Sequence, residues 1–405
     1  MSSADPRRRL LLELFQAGVA RVAGRGCVAG ALRANGMQAG AVWIAAIGKA
    51  AAEMALGAHD VLGAAITRVL VITKEGHVPP EARALPAVQI QESAHPVPDT
   101  RSLEAGQKLL HWLRELPDSA QPLFLISGGA SSLVEVLEVG VTLEQLGRLN
   151  AEGHASGIAI AELNARRGRL SRIKGGRLAA LLAGRPGRAL FISDVPGDDP
   201  AVIGSGIMGP ANAGPDHIVR TIVASLEQAM EAACVSAEKM GLDVQRAPKR
   251  FDDDALRLAV RFSHELHLSP AQVCIWGGES TVRLPERPGH GGRNQQLALA
   301  AARQLAGHAE DVLLAAGTDG TDGPTEDAGA IVDGDTCARI AVAELDADDC
   351  LRRADAGTAL AASGDLIHTG PTGTNVGDLV MGLKLSRQAA QSIWQHRDAR
   401  GARVL

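Results

Sequence analysis

Val42-Trp43-Ile44-Ala45-Ala46-Ile47-Gly48-Lys49-Ala50 is the stretch whose reading decides the fold. Val42–Ala46 is a short apolar run that ends in glycine, which reads as a buried strand. Gly48-Lys49-Ala50 then leads straight into a helical pattern. The same phrase recurs down the chain. Val69–Thr73 runs into Lys74-Glu75-Gly76-His77, and Leu123–Ile126 into Ser127-Gly128-Gly129-Ala130-Ser131-Ser132. Ala189–Ile192 runs into Ser193-Asp194-Val195-Pro196-Gly197-Asp198. Strands alternating with helices imply an α/β fold of parallel sheets covered on both faces. In such sheets ligands bind at the carboxyl ends of the strands, so the chemistry is expected in the glycine-rich loops.

Around this frame, Arg8–Val22 reads as an amphipathic helix with Leu11, Leu12, Phe15, Val19 and Val22 on one stripe. A second helix is predicted over about Ser102–Leu116. The polar run Gln245–Asp254 (QRAPKRFDDD) breaks the series, and a helix follows to about Leu268. A second series then begins. Val273–Trp276 enters Gly277-Gly278-Glu279-Ser280, and Leu313–Ala316 enters Gly317-Thr318-Asp319-Gly320-Thr321-Asp322-Gly323. The expected division is 1–245 and 246–405.

Composition narrows the function classes. The chain has 405 residues, 46% hydrophobic and 21% charged, enough apolar content to fill cores. Five Phe, four Trp and no Tyr leave most of the packing to Ala, Leu, Val and Ile. A net charge of −5 without a basic stripe argues against nucleic acid as partner. The five cysteines are scattered without a CxxC pair, which fits a reducing cytoplasm and neither a disulfide framework nor a zinc site. Glu13 interrupts the apolar run at the N-terminus, so no secretory core is expected, and no stretch is apolar enough for a membrane helix.

Lys49 follows a glycine at a strand-to-helix turn, where an ammonium beside a helix start makes an anion site. It does not complete a P-loop: Trp43 stands where the first glycine belongs, and Ala50 follows the lysine. Ser127–Ser132 can ring a carboxylate or phosphate with backbone N–H groups and hydroxyls. Asp194 and Asp198 sit in one strand-end loop, Asp319 and Asp322 in another. Such carboxylates suit Mg²⁺ held together with substrate phosphates, or a base for a hydroxyl, or simply the bonding of their own loops. Arg293 opens a predicted helix running to about Leu305. A cation is unfavourable at that end unless an anion is bound there or a neighbour pairs with it. Gly204–Gly209 matches G-x-G-x-x-G by letter but lacks a strand before it and a helix within it. His264-Glu265-Leu266-His267 has the wrong spacing for a metalloprotease and reads as surface histidines. No G-x-S-x-G serine elbow is present.

Taken together, ten ordered segments resemble the bacterial-type glycerate 2-kinases. They are IGKA (47–50), TKEGH (73–77), HPVPD (95–99), SGGASS (127–132), RRGRLSRIKGG (166–176), SDVPGDD (193–199), GGESTV (277–282), GGRNQQLALA (291–300), TDGTDGPTEDAGA (318–330) and TGPTGTNVGDL (369–379). The resemblance implies a larger Rossmann-like three-layer N-terminal domain and a smaller α/β C-terminal domain with the active site in the cleft between them. It implies ATP-dependent phosphorylation of D-glycerate at its 2-hydroxyl with Mg²⁺. Members have also been called hydroxypyruvate reductases, so an NAD(P)H-dependent reductase is the rival reading, and a non-catalytic sensor a third.

Carried onto this chain, the resemblance implies that Lys49 and Arg293 act on the transferring phosphoryl group. Asp194 would serve Mg²⁺ or the substrate hydroxyl. Ser127, Gly128, Gly129, Ser131 and Lys174 would hold substrate, and Gly277, Gly278, Glu279, Asn294, Asp319 and Asp322 the nucleotide. Gln296 and Gly377 depart from the family's Glu and Asn. Ile207 and Ser132 stand where Pro and Ala are common. A homodimer is left open.

Overall fold

The computed structural model describes residues 5–156, 160–211 and 215–401. Six strands form the first sheet: β1 (Val42–Ile47), β2 (Ile66–Lys74), β3 (Val88–Ser93), β4 (Gln121–Ile126), β5 (Gly187–Ile192) and β6 (Ile218–Ala224). Their order is β3-β2-β1-β4-β5-β6, and every pair is parallel. This is the doubly wound order, whose direction of winding reverses between β1 and β4. Every residue of β1 is buried, as a strand covered on both faces should be. The helix Thr100–Glu115 starts from a capping box: the Asp99 side chain accepts from Arg101 N, and Asp99 N donates to Ser102 Oγ. Scarce aromatics are pooled rather than spread. Trp43, Trp112 and Phe124 meet at ring separations of 5.8 and 5.7 Å in the core of this sheet.

A second sheet holds β7 (Val244–Arg246), β8 (Val273–Gly278), β9 (Asp311–Gly317), β10 (Gly329–Asp333), β11 (Leu366–Ile367) and β12 (Asp378–Lys384), in the order β11-β10-β9-β12-β8-β7. It is mixed, which corrects the expectation of parallel sheets throughout. Only β7 and β8 pair in parallel. The reason lies in the connections. A parallel return needs a crossover, usually a helix, but residues 318–328 join β9 to β10 with none. β12 then slots between β8 and β9, antiparallel to both. Here too the aromatics cluster, with Phe262 5.3 Å from Phe251 and 4.6 Å from Trp276.

The compact units do not follow a single cut at 245. One comprises Val22–Ser225 with Gly373–Val376; the other comprises Met1–Arg21, Leu226–Thr372 and Gly377–Leu405. The helix Pro6–Arg21 belongs with the second sheet because it packs on the helix Leu226–Lys239. Gly18 allows the approach: a Cβ there would lie 2.9 Å from Ala229 O. Its buried stripe is Leu10, Leu11, Leu14, Phe15 and Gly18, so Leu12 and Val19, expected inside, are only half-buried. No helix among the described residues is long and apolar enough to cross a membrane.

Candidate active site

Strand order explains which loops meet in the first unit. β1, β4 and β5 lie side by side, so the turns after them, carrying Lys49, Ser127–Ser132 and Asp194, share one rim at the point where the winding reverses. Backbone bonds lock the first two together. Ser127 N donates to Ile47 O (3.0 Å), and Lys49 N donates to Gly128 O (2.9 Å). Ser127 Oγ is buried and accepts from Ala50 N at 3.0 Å, where the helix Ala51–Leu62 begins. Gly48 has φ +128°, and a Cβ on it would overlap Ser127. Lys49 flanks the glycine turn: the point where a Gly129 side chain would start is 3.2 Å from Lys49 Cγ and 3.2 Å from His95 Cδ2. Gly129 itself is left-handed, at φ +86°. A Cβ on Gly128 would collide with both Asp194 and Asn375. Asn375 Nδ2 points at Asp194 Oδ2 from 3.4 Å. The structure thus brings together Lys49, Gly128, Gly129, Ser131 and Asp194. It adds His95 and Asn375, which lie in the HPVPD and TGTN segments that carried the resemblance but had no role assigned.

Lys174 is placed differently from its expected role. Its side chain is 1% exposed, and Nζ donates to Glu135 Oε2 and to the Ser131 carbonyl, each at 2.5 Å. Burial, the largest influence, lowers its pKa, and the Glu135 carboxylate opposes that. Glu135 Oε1 is also held, accepting from Ser171 Oγ (2.5 Å) and Val136 N (3.0 Å). An ammonium so enclosed does not reach substrate; it props the Ser131 backbone from behind. Ser131 Oγ shares a hydrogen bond with Ser205 Oγ at 2.8 Å, and Ser205 is a non-glycine residue at φ +58°. The G-x-G-x-x-G letters of 204–209 therefore form a 3₁₀ turn supporting the serine loop, with no helix opening from it.

A second group gathers in the other unit, at the ends of β8 and β9 and the start of β12. Arg293 is the first residue of the helix Arg293–Gln304. Its guanidinium pairs with Glu279 and stands 3.5 Å from Asp378 Oδ2. Burial acts against the charge, but Asp378 and Glu279 outweigh it and raise the Arg293 pKa. The helix start holds an anion from the chain itself: Asp322 Oδ1 accepts from Asn294 N (3.0 Å) and Oδ2 from Gln295 N (2.8 Å). Burial nevertheless pushes the Asp322 carboxyl up to about 7. A Cβ at Gly292 would overlap Asp322, so glycine is what lets this carboxylate in. Asp319 Oδ1 accepts from Thr321 N and Oγ1 at 3.0 and 3.2 Å, loop-internal bonding of the Asx-turn kind. Gly277 and Gly278 lie inside β8, where added side chains would strike Met230 and Phe251; packing accounts for both glycines without a ligand.

These oxygens fit a hard cation. Asp378 is 3% exposed, and among the described residues its Oδ2 has no hydrogen-bond donor, nor has the buried Asn294 Oδ1. Around the Arg293 guanidinium stand Glu279, Asp378 and Asp322, and Asp319 acts on Asp378, an excess of carboxylates that suits Mg²⁺ with phosphates better than a phosphate alone. In the first unit, and taken by itself, Asp194 is half-buried at its loop rim and carries oxygens of the same kind. The family departures also find local reasons. Gln296 is buried and donates from Nε2 to Leu351 O at 2.9 Å, a bond a carboxylate could not make. Gly377 sits at φ +103°, where a side chain is strained. Ser132 Oγ donates to Gly129 O at 3.2 Å.

Comparison with known proteins gives two family matches. Residues 10–236 match the domain of unknown function DUF4147, and residues 272–378 match the MOFRL family. A D-glycerate 2-kinase of Thermotoga maritima is 35% identical over 381 residues, 84% of this chain and 90% of that one. A putative hydroxypyruvate reductase of Agrobacterium vitis is 34% identical, covering 82% and 96%. The crystal structure of a Thermotoga maritima glycerate kinase superposes with a TM-score of 0.80 at 33% identity, covering 93% of this chain and 99% of that chain.

Proposed function

This chain belongs to the glycerate 2-kinase family, and from that premise we propose that it transfers the γ-phosphoryl group of ATP to the 2-hydroxyl of D-glycerate. The observation that carries the reading is the rim formed by Lys49, the Ser127–Ser132 turn and Asp194 at the reversal point of a doubly wound sheet. A dinucleotide-dependent reductase would want a strand–glycine turn–helix fingerprint, and the letters that match it are in a 3₁₀ turn.

Phosphoryl transfer asks a protein for positioning and charge stabilisation more than for covalent chemistry. Backbone N–H groups and Ser131 of the serine turn are assigned to the substrate carboxylate. Asp194 is assigned to the 2-hydroxyl, taking or orienting its proton, or to the metal. Lys49 and Arg293 are assigned to the charge of the phosphoryl group in transit. Arg293 is already matched by Glu279, so phosphate binding would exchange one anion for another rather than create a pair. Asn294, Asp319, Asp322 and Glu279 are assigned to the nucleotide side, with Asp378 added. Magnesium, when bound with ATP, neutralises the phosphate oxygens; Asp194, or Asp319 with Asp378, would hold it. The test is product analysis with D-glycerate and MgATP beside an NADH–hydroxypyruvate assay. Phosphorylated glycerate without NADH loss supports the kinase, and the reverse overturns it.

A further inference from the structure

We propose that His267, His308 and Asp311 form a site for a late first-row divalent metal ion, with zinc as the test ion, at the opposite end of β9 from the Asp319 loop. One donor atom from each residue lies within 4.8 Å of the other two. His267 Nδ1 is 3.4 Å from Asp311 Oδ2. Two ligand atoms bound at about 2.0–2.1 Å in tetrahedral geometry stand about 3.3 Å apart, so this pair needs almost no movement to share an ion. The imidazole rings are 4.3 Å apart at 67°, packed edge to face rather than stacked, so a turn of the exposed His267 ring is enough to bring nitrogens of both onto one ion.

Burial supplies a second argument. Asp311 is 3% exposed, and the long contact to His267 is the one hydrogen bond its carboxylate makes among the described residues. That leaves lone pairs of the Asp311 carboxylate for an ion. His267 is half exposed, so an ion has a path in. His267 lies at the end of the helix Ala255–Leu268, His308 in the loop after the helix Arg293–Gln304, and Asp311 at the first position of β9. An ion held by all three would clip a helix end to a strand start. Lys384, the neighbouring cation, donates its Nζ hydrogens to the His267 and Ser269 carbonyls. Two imidazoles and one carboxylate suit zinc, nickel or copper better than Mg²⁺ or Ca²⁺, and three protein ligands leave a position for water.

The experiment titrates the metal-free full-length chain with ZnCl₂ by calorimetry, follows Tm, and records X-ray absorption at the zinc edge. The wild type takes up one equivalent, His308→Ala binds at least tenfold more weakly, and the double variant His267→Ala/His308→Ala binds none. Zinc raises Tm in the wild type but not in the double variant. Absorption shows nitrogen and oxygen neighbours at about 2.0–2.1 Å and no sulfur. Absence of zinc uptake by the wild type, equal uptake by the double variant, or sulfur neighbours from the cysteines would each overturn the proposal.

Discussion

Replacing Lys174 by Met separates propping from substrate contact. The side chain is nearly isosteric, but the exchange strips the charge partner from Glu135, which is 1% exposed. Breaking a buried pair on one side costs roughly 3–5 kcal/mol, because the remaining charge is uncompensated. The Ser131 carbonyl also loses its donor, and a misplacement of about 1 Å in a positioning loop can cost about a hundredfold in rate. Urea unfolding and steady-state kinetics with D-glycerate and MgATP measure the two effects. Adding Glu135→Gln should then return most of the stability, since a neutral amide oxygen still accepts from Ser171 and Val136 N. It should not return kcat, because Ser131 stays unsupported. A Lys174→Met protein within about 1 kcal/mol of wild type and with unchanged kcat would refute the propping role. Recovery of kcat together with stability would show that the pair serves the fold alone.

Lys49→Ala and Arg293→Ala should each lower kcat/KM by roughly 10³–10⁵, as for groups that stabilise phosphoryl charge, and Arg293→Ala should also lower the unfolding free energy because it leaves buried Asp378 without its cation; near-normal turnover in either removes that residue from the chemistry. Gly128→Ala should cost about a hundredfold in kcat, because its methyl overlaps Asp194 and Asn375, while circular dichroism stays native. Asp322 gives a pH effect. Its folded pKa of about 7 lies above the ordinary 3.8, so the folded chain binds the extra proton. Its contribution is full below about 4 and falls as pH rises toward 7, by up to about 4 kcal/mol. Asp322→Asn should flatten the decline in unfolding free energy between pH 4 and 7, and an unaltered slope would contradict it.

Much of the first sheet was legible because its central strands close in apolar runs that enter loops rich in glycine, serine or aspartate. β3 was not: Val88–Ser93 (VQIQES) is a half-exposed edge strand with polar residues at every second place. β7 (Val244–Arg246) is three residues long and runs into the polar stretch that breaks the series, so it left no apolar pattern. β12, though apolar in its middle, pairs with β8 and β9, strands that lie far earlier in the chain, and no local pattern reveals such a partner. The same holds for the site. Lys49, Ser127–Ser132 and Asp194 could be nominated from glycine turns after strands, and the sheet order then makes them neighbours. Lys174 could not be judged, since its burial depends on Glu135, 39 positions away. Arg293 at a helix start was a sound anomaly to notice, but the anion answering the helix end is Asp322 of the chain itself.

The most direct test of the whole account is ³¹P NMR of the product made by the purified protein from D-glycerate and MgATP. The account requires the resonance of 2-phosphoglycerate. A 3-phosphoglycerate signal would move the reacting hydroxyl away from Asp194, and inorganic phosphate alone would leave this chain without its acceptor.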